Sequence, residues 1–137
     1  MLEVLKDLPT GVIGFEAVGK VDSHDYDNIL APAVKAAAEH GEIRLVYVFG
    51  ERFEGYSAGA TWEDAKLGFG NVLSWERTAI VSDHHWAENL VKALGWMMPG
   101  KVRYFSLSAR ADAIAWAAEP TATGLADQRI VTKPTAL

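Results

Sequence analysis

Two short stretches hold residue types that could do chemistry together. The first is Asp83-His84-His85 with Glu88. On a helix, His84 and Glu88 are four apart and share a face, so an imidazole and a carboxylate could converge on one metal ion. His85 would point about 100° away, so a third ligand would have to come from elsewhere. The same residues make a solvated helix start with Asp83 as its cap, and that is the expectation here. The second stretch is His24 with Asp25 and Asp27, which has the makings of an acid–base group. No nucleophile is ordered beside it, and an acidic helix N-terminus accounts for the same residues. His40, just before Gly41, suits the negative pole of a helix end. No catalytic residue and no metal ligand is therefore assigned, and no turnover depending on His84 is expected. The chain has no cysteine, which excludes disulfides, thiolate metal sites and cysteine nucleophiles.

Recognition has better candidates. Gly50 to Gly59 carries three glycines (Gly50, Gly55, Gly59) with Arg52, Phe53 and Tyr56 among them. No Gly-Lys-Ser/Thr follows, so it is not a Walker A loop. No two of these glycines are separated by a single residue, so it is not a dinucleotide fingerprint. No cofactor is implied. The stretch reads as a mobile loop at the carboxyl end of a central strand, where open α/β sheets bind ligands. An ordinary surface loop pinned by its aromatics is the competing explanation. Of the five tryptophans, Trp62, Trp86 and Trp116 fall on helical stripes and are expected in the core. Trp75 and Trp96 sit near helix ends. Trp96 is followed by Met97-Met98-Pro99, an adaptable apolar patch suited to a ligand wall or a dimer interface.

These residues need elements to position them. Leu2, Val4 and Leu8 suggest a short edge strand closed by Pro9-Thr10-Gly11. Val12 to Val21 alternates as a strand and is expected to pair with it as a hairpin. Asp22 or Ser23 caps a helix to about Glu39, kinked at Pro32 or else starting later, and stopped by His40-Gly41. Ile43 to Phe49 is apolar throughout, as a central strand is. Thr61 caps a second helix carrying Trp62, Phe69 and Leu73. Arg77 to Val81 is a strand, and Ser82 or Asp83 caps a third helix with Trp86, Leu90, Leu94 and Met97 in register. Lys101 to Leu107 is the last strand, and Ser108 caps a final helix to about Glu119. Residues 120–137 have no helical stripe and read as a flexible tail or oligomerisation arm. The order β-β-α-β-α-β-α-β-α implies an α/β fold: one mixed five-stranded sheet with about four helices, in a single domain over residues 1–119.

Composition bounds the rest. The 137 residues are 50% hydrophobic and 23% charged, the balance of a globular domain. The net charge is −5, and no basic run occurs, so nucleic acid is not an expected partner. Apolar runs are too short for a membrane span, and the acidic first residues do not form a signal peptide. A cytoplasmic location is expected.

The element order resembles that of STAS domains, and the sequence is most similar to their SpoIIAA-like group. The resemblance is carried by Val46-Tyr47-Val48-Phe49 and the glycine-rich stretch after it, then by Ala60 to Gly68. It continues in Arg77 to Asp83, the Trp86-bearing helix, Val102 to Ser108 and Ala115-Trp116. It implies a non-enzymatic binding or regulatory module for a small apolar or amphipathic ligand or a protein partner. The expected site lies between the second and third helices and the Gly50–Gly59 stretch: Arg52, Phe53, Tyr56, Ser57, Trp62, Trp96 and Met97. A homodimer is expected. In antagonists of this superfamily a serine after the third strand is the phosphorylation switch. Ser57 lies nearby, which leaves a phospho-switched regulator as an alternative, although the Asp-Ser-Ser-Gly pattern is missing. A hydrolase or metalloenzyme using His84, Glu88 or His24 is the remaining one.

Overall fold

The computed structural model describes residues 1–57, 75–97 and 100–120. The expected second helix with Trp62 and Phe69, the Met97 side chain, Met98-Pro99 and the segment 121–137 lie outside the described residues. Five strands form one sheet in chain order: β1 (Leu2–Val4), β2 (Val12–Val21), β3 (Ile43–Tyr56), β4 (Trp75–Ser82) and β5 (Lys101–Phe105). β1 pairs antiparallel with β2 as the hairpin reading expects, and β2 to β5 are parallel. The α/β class and mixed five-stranded sheet are those expected from the element order.

The middle of β3 shows why its sequence is apolar on both faces. Leu45, Tyr47 and Phe49 pack into one core with Phe15, Leu30, Val34, Ile80 and Leu94. Val46 and Val48, on the other side of the pleat, join Val81, Phe105, Trp116 and Ala117. A strand covered on both faces has no reason to alternate.

The first helical stretch has three parts: α1 (Ser23–Asp25), a π-helical segment (Tyr26–Leu30) and α2 (Ala31–His40). Asp22 caps it, accepting from the Asp25 N–H at 3.1 Å, while Asp25 accepts from the Asp22 N–H at 2.9 Å. The regular α-helix starts later, at Ala31 with Pro32 in its first turn, and is preceded by the π segment, in which the Ala31 N–H reaches back to the Tyr26 carbonyl. Proline offers no N–H and crowds the carbonyl four residues before it, and a widened turn relieves both. Gly41, at φ 133°, ends α2 as foreseen, and the His40 ring meets the Ala36 carbonyl at 2.9 Å.

Three expectations are corrected. Gly50 to Tyr56 is not a loop but the second half of β3, paired with β2 as far as Val21↔Tyr56. The third helix, α3 (Trp86–Met97), starts later than read and is not capped by the Asp83 side chain, which accepts from the Leu107 N–H at 2.9 Å. Its buried face is Ala87 and Leu94, with Leu90 and Val91 packed beside them, so Trp86 is turned out of the core. The last helix begins as a 3-10 turn (Leu107–Ala109) before α4 (Arg110–Ala118), and Ser106, not Ser108, occupies the cap position.

Two arginines tie α4 to the sheet. Arg44 and Arg77 are register partners on β3 and β4. Arg77 is only 6% exposed, donates to the Trp116 carbonyl at 2.8 Å and lies over the Trp116 ring at 5.0 Å. Arg44 donates to the carbonyls of Ala117 and Glu119 at 2.7 and 2.6 Å. Together they take up carbonyls that a helix leaves unpaired at its C-terminus.

Candidate functional site

The carboxyl ends of β3 and β4 carry a connected group of aromatic rings on the face that α2 and α3 cover. Phe49 lies at its base, with Tyr47 at 4.6 Å, Trp86 at 4.9 Å and Phe53 at 5.0 Å between ring centroids. Phe53 is the hub and meets Tyr56 at 5.5 Å, Trp86 at 5.8 Å and His84 at 6.1 Å, all edge to face. His84 stacks on Trp86 at 5.3 Å and 19°. Tyr26, from the π segment, stacks on Tyr56 at 6.1 Å. Phe49 is buried and Phe53 half-buried, while Trp86 is 39% and Tyr56 44% exposed. Among the described residues the result is an aromatic cluster with a buried floor and partly exposed outer rings, called the basin below.

The register of β3 explains how Phe53 and Tyr56 come to share this face. Three residues apart in a regular strand, they would point to opposite sides. β3 carries one extra residue between them, since Gly19 pairs with Phe53 and Lys20 with Gly55. Gly55 takes φ 113°, a conformation that favours glycine, and the added residue returns Tyr56 to the side of Phe53. Gly50 lies between Glu16 and His84. A Cβ there would come within 2.7 Å of Glu16 Oε2, and its carbonyl oxygen lies 3.3 Å from His84 Nε2.

The basin has a polar corner formed by three tyrosines. The Tyr47 side chain is almost wholly buried, and its hydroxyl lies within reach of the Tyr56 hydroxyl. Burial, then the neighbouring Tyr56 and Tyr26 phenols, push its ionisation well above the ordinary tyrosine value. Tyr56 is partly exposed, its hydroxyl lies near those of Tyr47 and Tyr26, and burial raises its ionisation as well. Asp25 lies close to this corner. Burial alone would raise its carboxyl, but the Asp22 N–H and the Met1 ammonium, 3.3 Å away, hold it below the usual carboxylate value.

Other residues expected at the site are not brought together. Arg52 points to the opposite face of β3, where it pairs with Glu3 at 3.1 Å and Glu16 at 3.4 Å. Trp96 is 91% exposed at the far end of α3, about 15 Å from Trp86 at 1.5 Å per residue. Ser57 follows β3 directly, and its N–H bonds to the Val21 carbonyl at 2.9 Å. Phe53 and Tyr56, grouped from the sequence, meet ring to ring in the basin. Phe49, Trp86, His84, Tyr47 and Tyr26 are the members of the basin that sequence reasoning did not group with them. The pairing of His84 with Glu88 on one helix face does not occur, because His84 precedes α3. His24 is exposed on α1. Among the described residues no three His, Asp or Glu side chains gather as a metal would require.

The profile of the SpoIIAA-like family matches residues 12–118, nearly all of the span described above. The chain belongs to the SpoIIAA-like family. Among solved structures it is similar to an uncharacterised protein of Shewanella loihica with a SpoIIAA-like fold, at TM-score 0.63 and 26% identity. That likeness covers 85% of this chain and 91% of the other. No curated protein matches. The fold and family are those the sequence resembles, and they place the chain among binding and regulatory modules. None of the described helices is long and apolar enough to cross a membrane.

Proposed function

We propose that this SpoIIAA-like protein is a non-enzymatic binding module whose aromatic basin receives a small apolar or amphipathic ligand. The observation that supports it is the cluster of Phe49, Phe53, Tyr56, Trp86 and His84 at the carboxyl ends of parallel strands, half open to solvent. Rings that could have closed into the core instead form a rim, and open parallel sheets bind ligands at this edge. Phe53, Tyr56 and Trp86 supply the contact area, and His84 holds the Trp86 ring by stacking. Native mass spectrometry of gently purified protein tests the reading. We expect a co-purified apolar species on the intact chain, lost from Phe53→Ala/Trp86→Ala. An adduct that the double variant keeps in full would place binding elsewhere.

A protein partner is the second reading, favoured by the exposed Trp96 at the other end of α3. With Met97 beside it in sequence, this end of the molecule suits a homodimer contact. Regulation at Ser57 is compatible with the same architecture. The residue sits where β3 ends, one position from Tyr56, so a phosphate there would change the charge at the rim. Phosphate-dependent partner binding, lost in Ser57→Ala, would favour it over ligand binding alone.

A further inference from the structure

The sheet ends on β5. It pairs with β4 in unbroken parallel register from Arg77↔Lys101 to Val81↔Phe105, and among the described residues no strand pairs with its other side. Such an edge presents a row of unpaired N–H and C=O groups, a template for one more strand. The two faces of β5 differ in charge. Phe105 belongs to the core under α4, so Lys101 and Arg103, at alternate positions, lie on that face, and both are exposed. Neither pairs with a carboxylate among the described residues. The Arg103 guanidinium lies over the Phe105 ring at 4.9 Å. On the α3 face the sign reverses: burial, then the carboxylates of Asp83 and Glu88, push the Tyr104 phenol above its ordinary value. Beside the cations runs a groove of about 580 Å³ between β5 and α4. The buried rings of Phe105 and Trp116, with Ala115, give it an apolar lining. Arg103 stands on its strand side and Asp112 and Glu119 on its helix side, where Glu119 is paired with Arg77 at 3.3 Å. Charged side chains alone would guard an edge against stray pairing, but guarding does not call for an apolar groove alongside.

We infer that β5 is a docking edge for an extended segment of a partner protein, which adds as a further strand with two acidic side chains, two residues apart, beside Lys101 and Arg103. Backbone pairing supplies the affinity, and the charge pairs across the two strands supply the selectivity. Asp112 keeps the acids on the strand side of the groove, away from α4. A second copy of β5 fits badly. Antiparallel pairing about a two-fold axis at Val102 or Arg103 sets cations opposite cations, which destabilises a pair of strands. The inference does not rest on the basin, which lies at the carboxyl ends of β3 and β4.

Two peptides test this: acetyl-Thr-Glu-Thr-Glu-Val-Thr-amide, and the same peptide with both glutamates replaced by lysine. Each is titrated into the ¹⁵N-labelled full chain and followed by NMR. The acidic peptide should bind about 5- to 30-fold more tightly, the difference between two attractive and two repulsive cross-strand pairs. The net charge of −5 works against that preference, so it has to come from a local site. The backbone amides of Val102 to Phe105 should shift with saturation, while those of Phe53 and Trp86 stay in place. In Lys101→Glu/Arg103→Glu, which changes two exposed side chains and should melt close to wild type, the preference should invert. Should that variant not fold, the position of the wild-type shifts decides alone. The inference is overturned if the acidic peptide shows no saturable binding, if the two peptides bind equally, or if the shifts centre away from β5. A folded double variant that keeps the acidic preference would show that Lys101 and Arg103 only guard the edge, which also overturns it.

Discussion

Phe53 connects the core to the rim, so its truncation should register in two measurements. It contacts Phe49 in the buried floor and Trp86 and Tyr56 in the open part. Phe53→Ala should cost about 1–3 kcal/mol in a urea melt, less than the about 3–5 kcal/mol expected for the fully buried Phe15→Ala. Its binding defect should be the larger of the two: at least about tenfold for an apolar probe, where Phe15→Ala leaves affinity intact in the folded fraction. Arg77 belongs to the fold alone. Arg77→Ala should cost about 2–3 kcal/mol, because the Trp116 carbonyl loses a charged donor inside the second core. Glu119→Gln, which removes only the exposed end of the 3.3 Å ion pair, should change stability by less than about 1 kcal/mol. Denaturant melts on the two variants check the contrast. At this scale the sequence made Phe53 and Tyr56 visible, as rings following an apolar strand. It misplaced Trp86, because positions 86, 90 and 94 fit a helical stripe as well as 87, 90, 91 and 94 do. It grouped Arg52 with Phe53, although neighbours on a strand face opposite ways.

The elements depend on a few backbone positions that substitutions can probe. Gly100 precedes β5 at φ 83°, and a Cβ there would collide with the carbonyl oxygens of Trp75 and Glu76. Gly100→Ala should destabilise by about 2–4 kcal/mol. Gly95, exposed near the end of α3 with open space where a Cβ would go, behaves oppositely. Gly95→Ala should stabilise by about 0.5–1 kcal/mol, because alanine is the better helix former. Thermal melts of the two alanine variants should move in opposite directions. If both fall, α3 does not run through Gly95 as described. The span of β2 was legible residue for residue from its alternation. The second half of β3 was not, because Gly50, Glu51, Arg52, Glu54 and Gly55 have the composition of a loop. What makes them a strand is pairing with β2 through bulges, and single-sequence periodicity does not record a partner. The π segment was visible only as a proline that had to disturb something.

For the whole molecule, the order of elements was legible because strands and helices alternate and each keeps its own period. The meeting of α4 with Arg44 and Arg77 was not, because it joins residues more than thirty apart through backbone carbonyls that no side-chain pattern announces. The exposed Trp96 leads to an expectation at this scale. Light scattering should report a mass near twice 14.9 kDa, and Trp96→Lys should return it to one chain. A wild-type monomer over a broad concentration range would remove the dimer. The basin itself has a more direct test, since Trp86 lines it while Trp75 and Trp116 are buried elsewhere and Trp96 lies at the far end of α3. Indole N–H signals in a ¹⁵N–¹H NMR spectrum report on each of these separately as butylbenzene is added. The Trp86 signal should shift with saturation while those of Trp75, Trp96 and Trp116 stay in place. Saturable shifts centred on Trp96 or Trp116, with Trp86 unmoved, would contradict binding in the basin.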